Sequence, residues 1–299
     1  MTIRIALLGC GRVAQHYKIF LEPGILRKAQ LIGVCDLHEG RATAMSANLG
    51  VPKFSQSSDL LSTTNPDPVI IATPSGLHYE HTREALLHDC HVLVEKPAAM
   101  TPSEIVDNDQ LARKRGLMYS VAFQNRLNPA VRLLEETVKQ QRFGRIVSVA
   151  VRLRWCREQS YYEDGWHGKW SSDGGVINQQ AIHHMDVLQW LCGPVTSVAA
   201  SMANRLNRLE AEDTMVAVCR LEGGGLATIE ATTGARPRDF EASLTVTGEL
   251  GTARIGGVAL NQVEEWDFAQ PLPQDAEAKS RHSQEVPNCY GLSHGPLLQ

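Results

Sequence analysis

Three things are missing from this 299-residue chain. It has no excess of positive charge: 29 Lys and Arg against 33 Asp and Glu leave a net charge of -4. With a pI of about 6.3, no basic field is available to hold nucleic acid or an anionic membrane. It has no apolar run approaching the roughly 18 residues of a membrane span. The amino terminus, Met-Thr-Ile-Arg-Ile-Ala-Leu-Leu-Gly, enters a strand directly, without a basic n-region or a small-residue cleavage site. Finally, it has no Cys-x-x-Cys spacing. Its seven cysteines, at positions 10, 35, 90, 156, 192, 219 and 289, are scattered in the manner of reduced small hydrophobes rather than of a disulfide or zinc framework. The expectations are a cytoplasmic protein, no metal, and a partner that is a small molecule or another protein.

What is present is ordinary globular composition, 43% hydrophobic and 21% charged, in a length that suggests about two domains. The apolar run Ile3 to Leu8 enters Gly9-Cys10-Gly11-Arg12-Val13-Ala14 before helix-like sequence begins. In this Gly-x-Gly-x-x-Ala pattern Gly9 permits a tight turn, Gly11 lets backbone approach a pyrophosphate, and Ala14 lets the helix pack on the strand. The backbone from Gly9 through Arg12 and Val13 then opens a helix amino terminus toward the phosphates. A second run, Leu31 to Cys35, ends in Asp36, 22 residues beyond Ala14, close to where such folds place the carboxylate that binds the ribose hydroxyls. That carboxylate would repel a 2'-phosphate, so NAD is favoured over NADP, with Arg41 the nearest cation in sequence able to soften the preference.

Strand and helix patterns continue to alternate. A helical stretch from Arg41 to Asn48 is followed by a loop, a strand Val69 to Ala72, a helix His78 to His88 and a strand His91 to Val94. That strand runs into Glu95 and Lys96, where Pro97 stops it for want of an N–H. A helix over Pro102 to Arg115 and a strand over Met118 to Phe123 complete a doubly wound parallel sheet, an α/β Rossmann domain over residues 1–122. Thr73, Pro74, Ser75 and His78 are placed at the same carboxyl edge as Gly9, Asp36, Glu95 and Lys96, where ligands bind in open α/β sheets.

From residue 123 the pattern changes. After Gln124-Asn125-Arg126 and a helix from Pro129 to Gln141, strands follow at 146–154, 195–205, 214–221, 226–233, 243–247 and 252–255. Hairpin turns lie at Glu222–Gly225 and Gly248–Gly251. This predicts an α+β domain over 123–299 with a large, mostly antiparallel open sheet, one face on helices and one free to form an oligomer interface. Between the first two strands lie an aromatic loop (Tyr161, Tyr162, Trp166, Trp170) and a helix from about Val176 to Cys192. On that helix Ile177, Ala181, Met185 and Leu188 form an apolar stripe, and Gln179, His183, Asp186 and Trp190 form another on roughly the opposite side. His183 titrates near neutrality and is the best base candidate in this domain.

With these residues in hand the chain resembles the glucose-fructose oxidoreductase, inositol dehydrogenase and rhizopine catabolism (Gfo/Idh/MocA) family over nearly its whole length. Glu95-Lys96-Pro97 matches the family's Glu-Lys-Pro signature, Thr73-Pro74-Ser75 with His78 its cofactor loop, and Gly174-Gly175 through His183, Asp186 and Trp190-Leu191-x-Gly193 the helix bearing its catalytic histidine. The loop from Tyr161 to Trp170 with Asp173-Gly174-Gly175 looks most like the branch oxidising nucleotide-linked amino-sugar uronates, or the 3-position of other hexoses. Gln179 departs from the family's usual Asp, so an amide orients where a carboxylate would share a proton. Members usually continue past Gly291-x-x-His294 with a long helix, which the resemblance implies is missing here.

The resemblance implies reversible oxidation of a secondary hydroxyl of a sugar, sugar derivative or cyclic polyol, with hydride passing to NAD. Lys96 would hydrogen-bond the reacting oxygen and His183 take or relay the proton, leaving open which is the formal base. Burial and an oxidised nicotinamide beside Lys96 are expected to depress its pKa. Gln124, Arg126, Trp166, Trp170, Gln179 and His183 are the expected substrate contacts, with Asp186 orienting. The family also contains a non-catalytic dinucleotide-binding regulator and NAD-dependent glycoside hydrolases. Intact Lys96 and His183 argue against the first, and retention of NAD between turnovers would distinguish the second. A homodimer or homotetramer through the carboxyl-terminal sheet is the expected assembly.

Overall fold

In the computed structural model, which describes residues 2–298, the chain forms two compact units. The first takes the chain up to Ala122, together with Ser171–Asp173 and the tail from His294; the second takes Phe123–Trp170 and Gly174–Ser293.

The first unit runs β1 (Ile3–Leu8), α1 (Ala14–Leu21), β2 (Ala29–Cys35), α2 (Glu39–Leu49), β3 (Lys53–Phe54), α3 (Ser57–Thr64), β4 (Pro68–Ile71), α4 (His78–Leu87), β5 (His91–Val94), α5 (Pro102–Arg115) and β6 (Tyr119–Val121). All six strands are parallel, in the order β3-β2-β1-β4-β5-β6. The order reverses beside β1, which puts a crevice at the carboxyl end of that strand. The near-continuous apolar strands are explained by burial on both faces. Ala6 and Leu8 of β1 pack with Leu60, Leu86 and Ala112 on one side, while Ile5 and Leu7 pack with Ala14, Tyr17 and Met45 on the other. The stretch expected to be a loop before Val69 holds β3 and α3. Helix α3 is only eight residues of mixed Ser, Thr, Asp and Leu, too short for its periodicity to stand out, and it is held by burial of Leu60 and Leu61. Helix α5 matches expectation at both ends: Thr101 and Glu104 form a capping box, Pro102 takes the first turn, and Gly116 closes it at φ 67°.

The second unit runs α6 (Pro129–Lys139), β7 (Ile146–Arg154), a π-helical turn (Ile177–Ala181), α7 (Ile182–Cys192), β8 (Val195–Ala203), β9 (Thr214–Leu221), β10 (Leu226–Thr232), β11 (Glu241–Gly248), β12 (Gly251–Gly256), β13 (Gln262–Phe268) and α8 (Ala278–His282). Its seven strands are ordered β13-β12-β11-β7-β10-β9-β8. The sheet is mostly antiparallel, with one departure: β7 and β10 pair in parallel. On its other side β10 is hairpin-connected to β9, while β7 pairs antiparallel with the distant β11; the parallel junction between β7 and β10 needs a long crossover, and the aromatic loop, α7, β8 and β9 supply it. One face buries Val149, Val151, Ala217, Ile229 and Leu244 against α6 and α7 through Leu134 and Leu188. The opposite face leaves Val198, Met202, Val216 and Val218 more than half exposed.

The tail adds α9 (His294–Leu297) to the first unit, against α1.

Candidate active site

At the end of β1 the backbone turns on Gly9, whose φ of 96° and whose ideal Cβ position 2.5 Å from the Ala72 carbonyl admit no side chain. Around Gly11 the reverse holds: nothing lies within 4 Å of where its Cβ would be, leaving open backbone beside the start of α1. Arg12 and Val13 supply the carbonyls that open the helix, accepting from Gln15 N at 3.3 Å and His16 N at 2.9 Å. Asp36 is pinned to this loop, one carboxylate oxygen accepting from Cys10 N at 2.8 Å and the other from His38 N at 2.7 Å. Each oxygen keeps a lone pair for a ribose hydroxyl. An open glycine, a helix start and an oriented carboxylate fit a dinucleotide. Arg41 is exposed on the first turn of α2.

The next strand ends are tied together by His78. Its imidazole lies 2.6 Å from the Pro97 carbonyl oxygen and 2.8 Å from that of Thr73, so one buried ring spans the ends of β4 and β5. Burial lowers its pKa, and the two carbonyls act in the opposite sense. Thr73 also meets His81 at 3.1 Å, Pro74 is half-buried, and Ser75 is buried. Gly76 is squeezed against Ser171, whose carbonyl oxygen would lie 2.7 Å from a Cβ there. Lys96, half-buried, follows a fully enclosed Glu95. The Glu95 carboxylate accepts from the Tyr17 hydroxyl at 2.7 Å and from Lys96 N at 3.3 Å, and lies 3.7 Å from His294 Nε2. Burial would raise its pKa, yet His294, Lys96 and Tyr17 together hold it below the ordinary value.

In the second unit, the expected continuous helix over 176–192 begins with the π-helical turn, which carries Gln179 and Gln180 and delivers His183 one turn later. Glu212 imposes this start. Its carbonyl accepts from Val176 N at 3.0 Å and its carboxylate from Ile177 N at 3.2 Å. Its side chain fills the space a Cβ on Gly175 would need, only 1.9 Å away. Burial raises the Glu212 pKa. Gln179 and His183 are both buried rather than on a solvated stripe, and the His183 ring meets Phe123 edge-on at 6.2 Å. Asp186 takes a two-pronged grip from Arg126, whose guanidinium lies 4.8 Å over the Trp190 ring. Gln124 is buried. In the aromatic loop Trp166 is half-buried on the His167 ring, 3.7 Å between centroids, and Trp170 is 49% exposed. His167 faces Asp164 at 2.6 Å.

Residues 3–123 match the description "Oxidoreductase family, NAD-binding Rossmann fold", and residues 131–254 match the same family's carboxyl-terminal domain. The chain belongs to the Gfo/Idh/MocA family. Its first unit is therefore an NAD-binding Rossmann domain, as Gly9, Gly11 and Asp36 led one to expect. Among solved structures it is similar to the WlbA dehydrogenase of Bordetella pertussis, in complex with NADH and UDP-GlcNAcA. The two are 39% identical with a TM-score of 0.89, over 93% of this chain and 80% of that one. Levoglucosan dehydrogenase, in complex with NADH and levoglucosan, shares the fold at 20% identity and a TM-score of 0.81, over 92% of this chain and 78% of that one. The D-glucoside 3-dehydrogenase of Escherichia coli (strain K12) is 31% identical over 64% of this chain and 54% of that protein. The chain spans about half the length of that curated relative and of the next two.

Three contributors are not apparent from the sequence. Tyr17 reads as one more apolar-face residue of α1, and Glu212 as one of three acids, with Glu210 and Asp213, before a strand. His294 is visible only as part of a Gly-x-x-His segment whose packing partner is remote in sequence.

Proposed function

We propose that this protein is an NAD-dependent dehydrogenase acting on a secondary hydroxyl of a nucleotide-linked sugar uronate. The observation that carries the reading is similarity at 39% identity, through both domains, to a dehydrogenase crystallised with NADH and UDP-GlcNAcA. NAD, when bound, supplies the hydride acceptor. This chain's residues supply the rest. Asp36 receives the ribose hydroxyls and disfavours a 2'-phosphate. The Lys96 ammonium donates a hydrogen bond to the reacting oxygen, and the His183 imidazole accepts the hydroxyl proton as the C–H bond gives up its hydride. Gln179, one helical turn before His183, orients the sugar by its amide. Gln124, Trp166 and Trp170 complete the proposed substrate contacts, while Arg126, paired to Asp186, positions α7 rather than touching substrate.

The test is NADH appearance at 340 nm with UDP-GlcNAcA, compared with UDP-glucose and free glucosides. Turnover with UDP-GlcNAcA at least ten times more efficient than with the others supports the reading. The E. coli relative motivates one competing reading, oxidation of a free glucoside, and preferential turnover of glucosides would establish it instead. The regulator and glycoside-hydrolase alternatives predict, respectively, no turnover and hydrolysis without net NADH.

For assembly we propose a homodimer or homotetramer through the exposed face of β8 and β9, supported by the apolar side chains there. We place the protein in the cytoplasm on the strength of seven free thiols. Among the described residues no helix is long and apolar enough to cross a membrane.

A further inference from the structure

The carboxylate of Glu95 is enclosed, with a relative exposure of 5%, immediately before Lys96. A buried carboxylate is costly unless its lone pairs are met. Two hydrogen bonds meet this one, from Tyr17 of α1 and from the Lys96 main-chain N–H, and His294 Nε2 of α9 lies 3.7 Å away as a charge partner. His294 is itself 2% exposed and is fixed by packing. Its ring stacks on His16 at 5.8 Å and meets Tyr17 edge-on at 5.1 Å. The neighbouring Gly295 lies so close to α1 that a Cβ there would sit 2.4 Å from the Phe20 ring. Helix α1 thus carries both the dinucleotide loop at its start and the docking site for the tail.

We propose that His294 is a positioning residue: with Tyr17 it holds the Glu95 carboxylate, and through the bond from Lys96 N to that carboxylate it fixes the backbone from which the Lys96 side chain reaches the reacting hydroxyl. The assignment rests on Lys96 being the residue that meets that hydroxyl. It makes the tail part of the catalytic apparatus and gives a fully buried imidazole at the end of the chain a chemical reason. The titratable groups facing Glu95 are His16 and Tyr17 from α1, His78 from α4, Lys96 from its own strand end, and His294 from α9. Of these, His294 alone comes from the tail.

The experiment compares the wild type with His294→Gln, which keeps a polar group beside Glu95, with His294→Leu, which removes it, and with Tyr17→Phe, which removes the hydroxyl donor. Three quantities are read: turnover with UDP-GlcNAcA, NAD affinity by calorimetry, and the NMR signal of Lys96 after reductive 13C-dimethylation, assigned by its loss in Lys96→Arg. Expected for His294→Leu is a fall in kcat of about 10-fold to 100-fold, NAD affinity within about 3-fold of wild type, and a displaced Lys96 signal. His294→Gln restores most of the turnover and returns the signal to its wild-type position. An unmoved Lys96 signal in both His294→Leu and Tyr17→Phe overturns the proposal, as does loss of NAD binding equal to the loss of turnover in every variant. If Lys96→Met keeps wild-type turnover, the proposed mechanism fails. If Lys96→Met is inactive while His294→Leu is not, only this inference fails. The NMR arm decides it even without a substrate, and Tyr17→Phe decides it if the His294 variants do not fold.

Discussion

Arg126 and Asp186 form a two-pronged ion pair, Nε donating to Oδ2 at 2.7 Å and Nη2 to Oδ1 at 2.5 Å. The Asp186 side chain is 9% exposed and that of Arg126 40%. The pair joins the segment after Phe123 to α7, three residues beyond His183. An arginine that the sequence offers as a cation for substrate is thereby committed to a carboxylate, and its guanidinium also covers Trp190. Removing Arg126 as Arg126→Met leaves a nearly buried carboxylate alone. Solvent at the half-exposed arginine screens the pair, so the expected cost is about 1–2 kcal/mol in urea unfolding. The double variant Arg126→Met/Asp186→Leu should recover most of it. A double variant no more stable than Arg126→Met would show that the pair does not hold α7.

Lys96→Met keeps an unbranched stem and removes the ammonium. Turnover should collapse while NAD affinity changes modestly. His183→Asn should fold, bind NAD normally, and lose about 10²-fold to 10⁴-fold in turnover, the usual contribution of a positioned acid/base group. Gln179→Ala should cost less than either. Wild-type turnover in both Lys96→Met and His183→Asn at saturating NAD would overturn the assignment of these two residues to the reaction.

Calorimetric titration with both cofactors should show NAD binding more tightly than NADP. Asp36 is oriented by two main-chain N–H groups, and a carboxylate at the end of this strand disfavours a 2'-phosphate. Asp36→Ser should narrow the difference by at least about 10-fold. Equal affinities in the wild type would mean that Arg41 overrides Asp36.

Light scattering at micromolar concentration should give a mass of at least twice the 32.9 kDa chain. Val218→Asp, on the exposed face of β9, should reduce it to the monomer. A wild-type monomer would refute the assembly proposal.

His184 sits fully buried beside Trp155, and neither ring nitrogen has a hydrogen-bond partner among the described residues. Burial pushes its pKa down from 6.5 to about 4. The folded state therefore binds the imidazole neutral, and the stability this contributes is complete above pH 6.5 and lost as pH falls from 6.5 to 4. The loss reaches about 3 kcal/mol by pH 4. His184→Leu should flatten the dependence of urea unfolding on pH in that window, and a dependence unchanged by the substitution would exclude His184 as its source.

Much of this protein is local information. Residue periodicity, Pro97 at a strand end, Gly9 at a turn with φ of 96°, and the Thr101–Glu104 capping box each act within a few residues. The sequence by itself therefore determined the alternating parallel sheet, the dinucleotide loop with Asp36, and the placement of Glu95 and Lys96 at a strand's carboxyl end. Only the tertiary structure decided the rest, because those contacts join segments whose approach depends on sheet order and burial. The parallel pairing of β7 with β10 follows from a crossover that no hairpin signal announces. The π-helical turn before His183 depends on Glu212 filling the space beside Gly175, and the commitment of Arg126 to Asp186 depends on α7 lying against the segment after Phe123. His294 reaches Glu95 because the tail packs on α1. In the last three cases a buried charged or polar group needs a partner, and nothing in its own neighbourhood of sequence says which one the fold will supply.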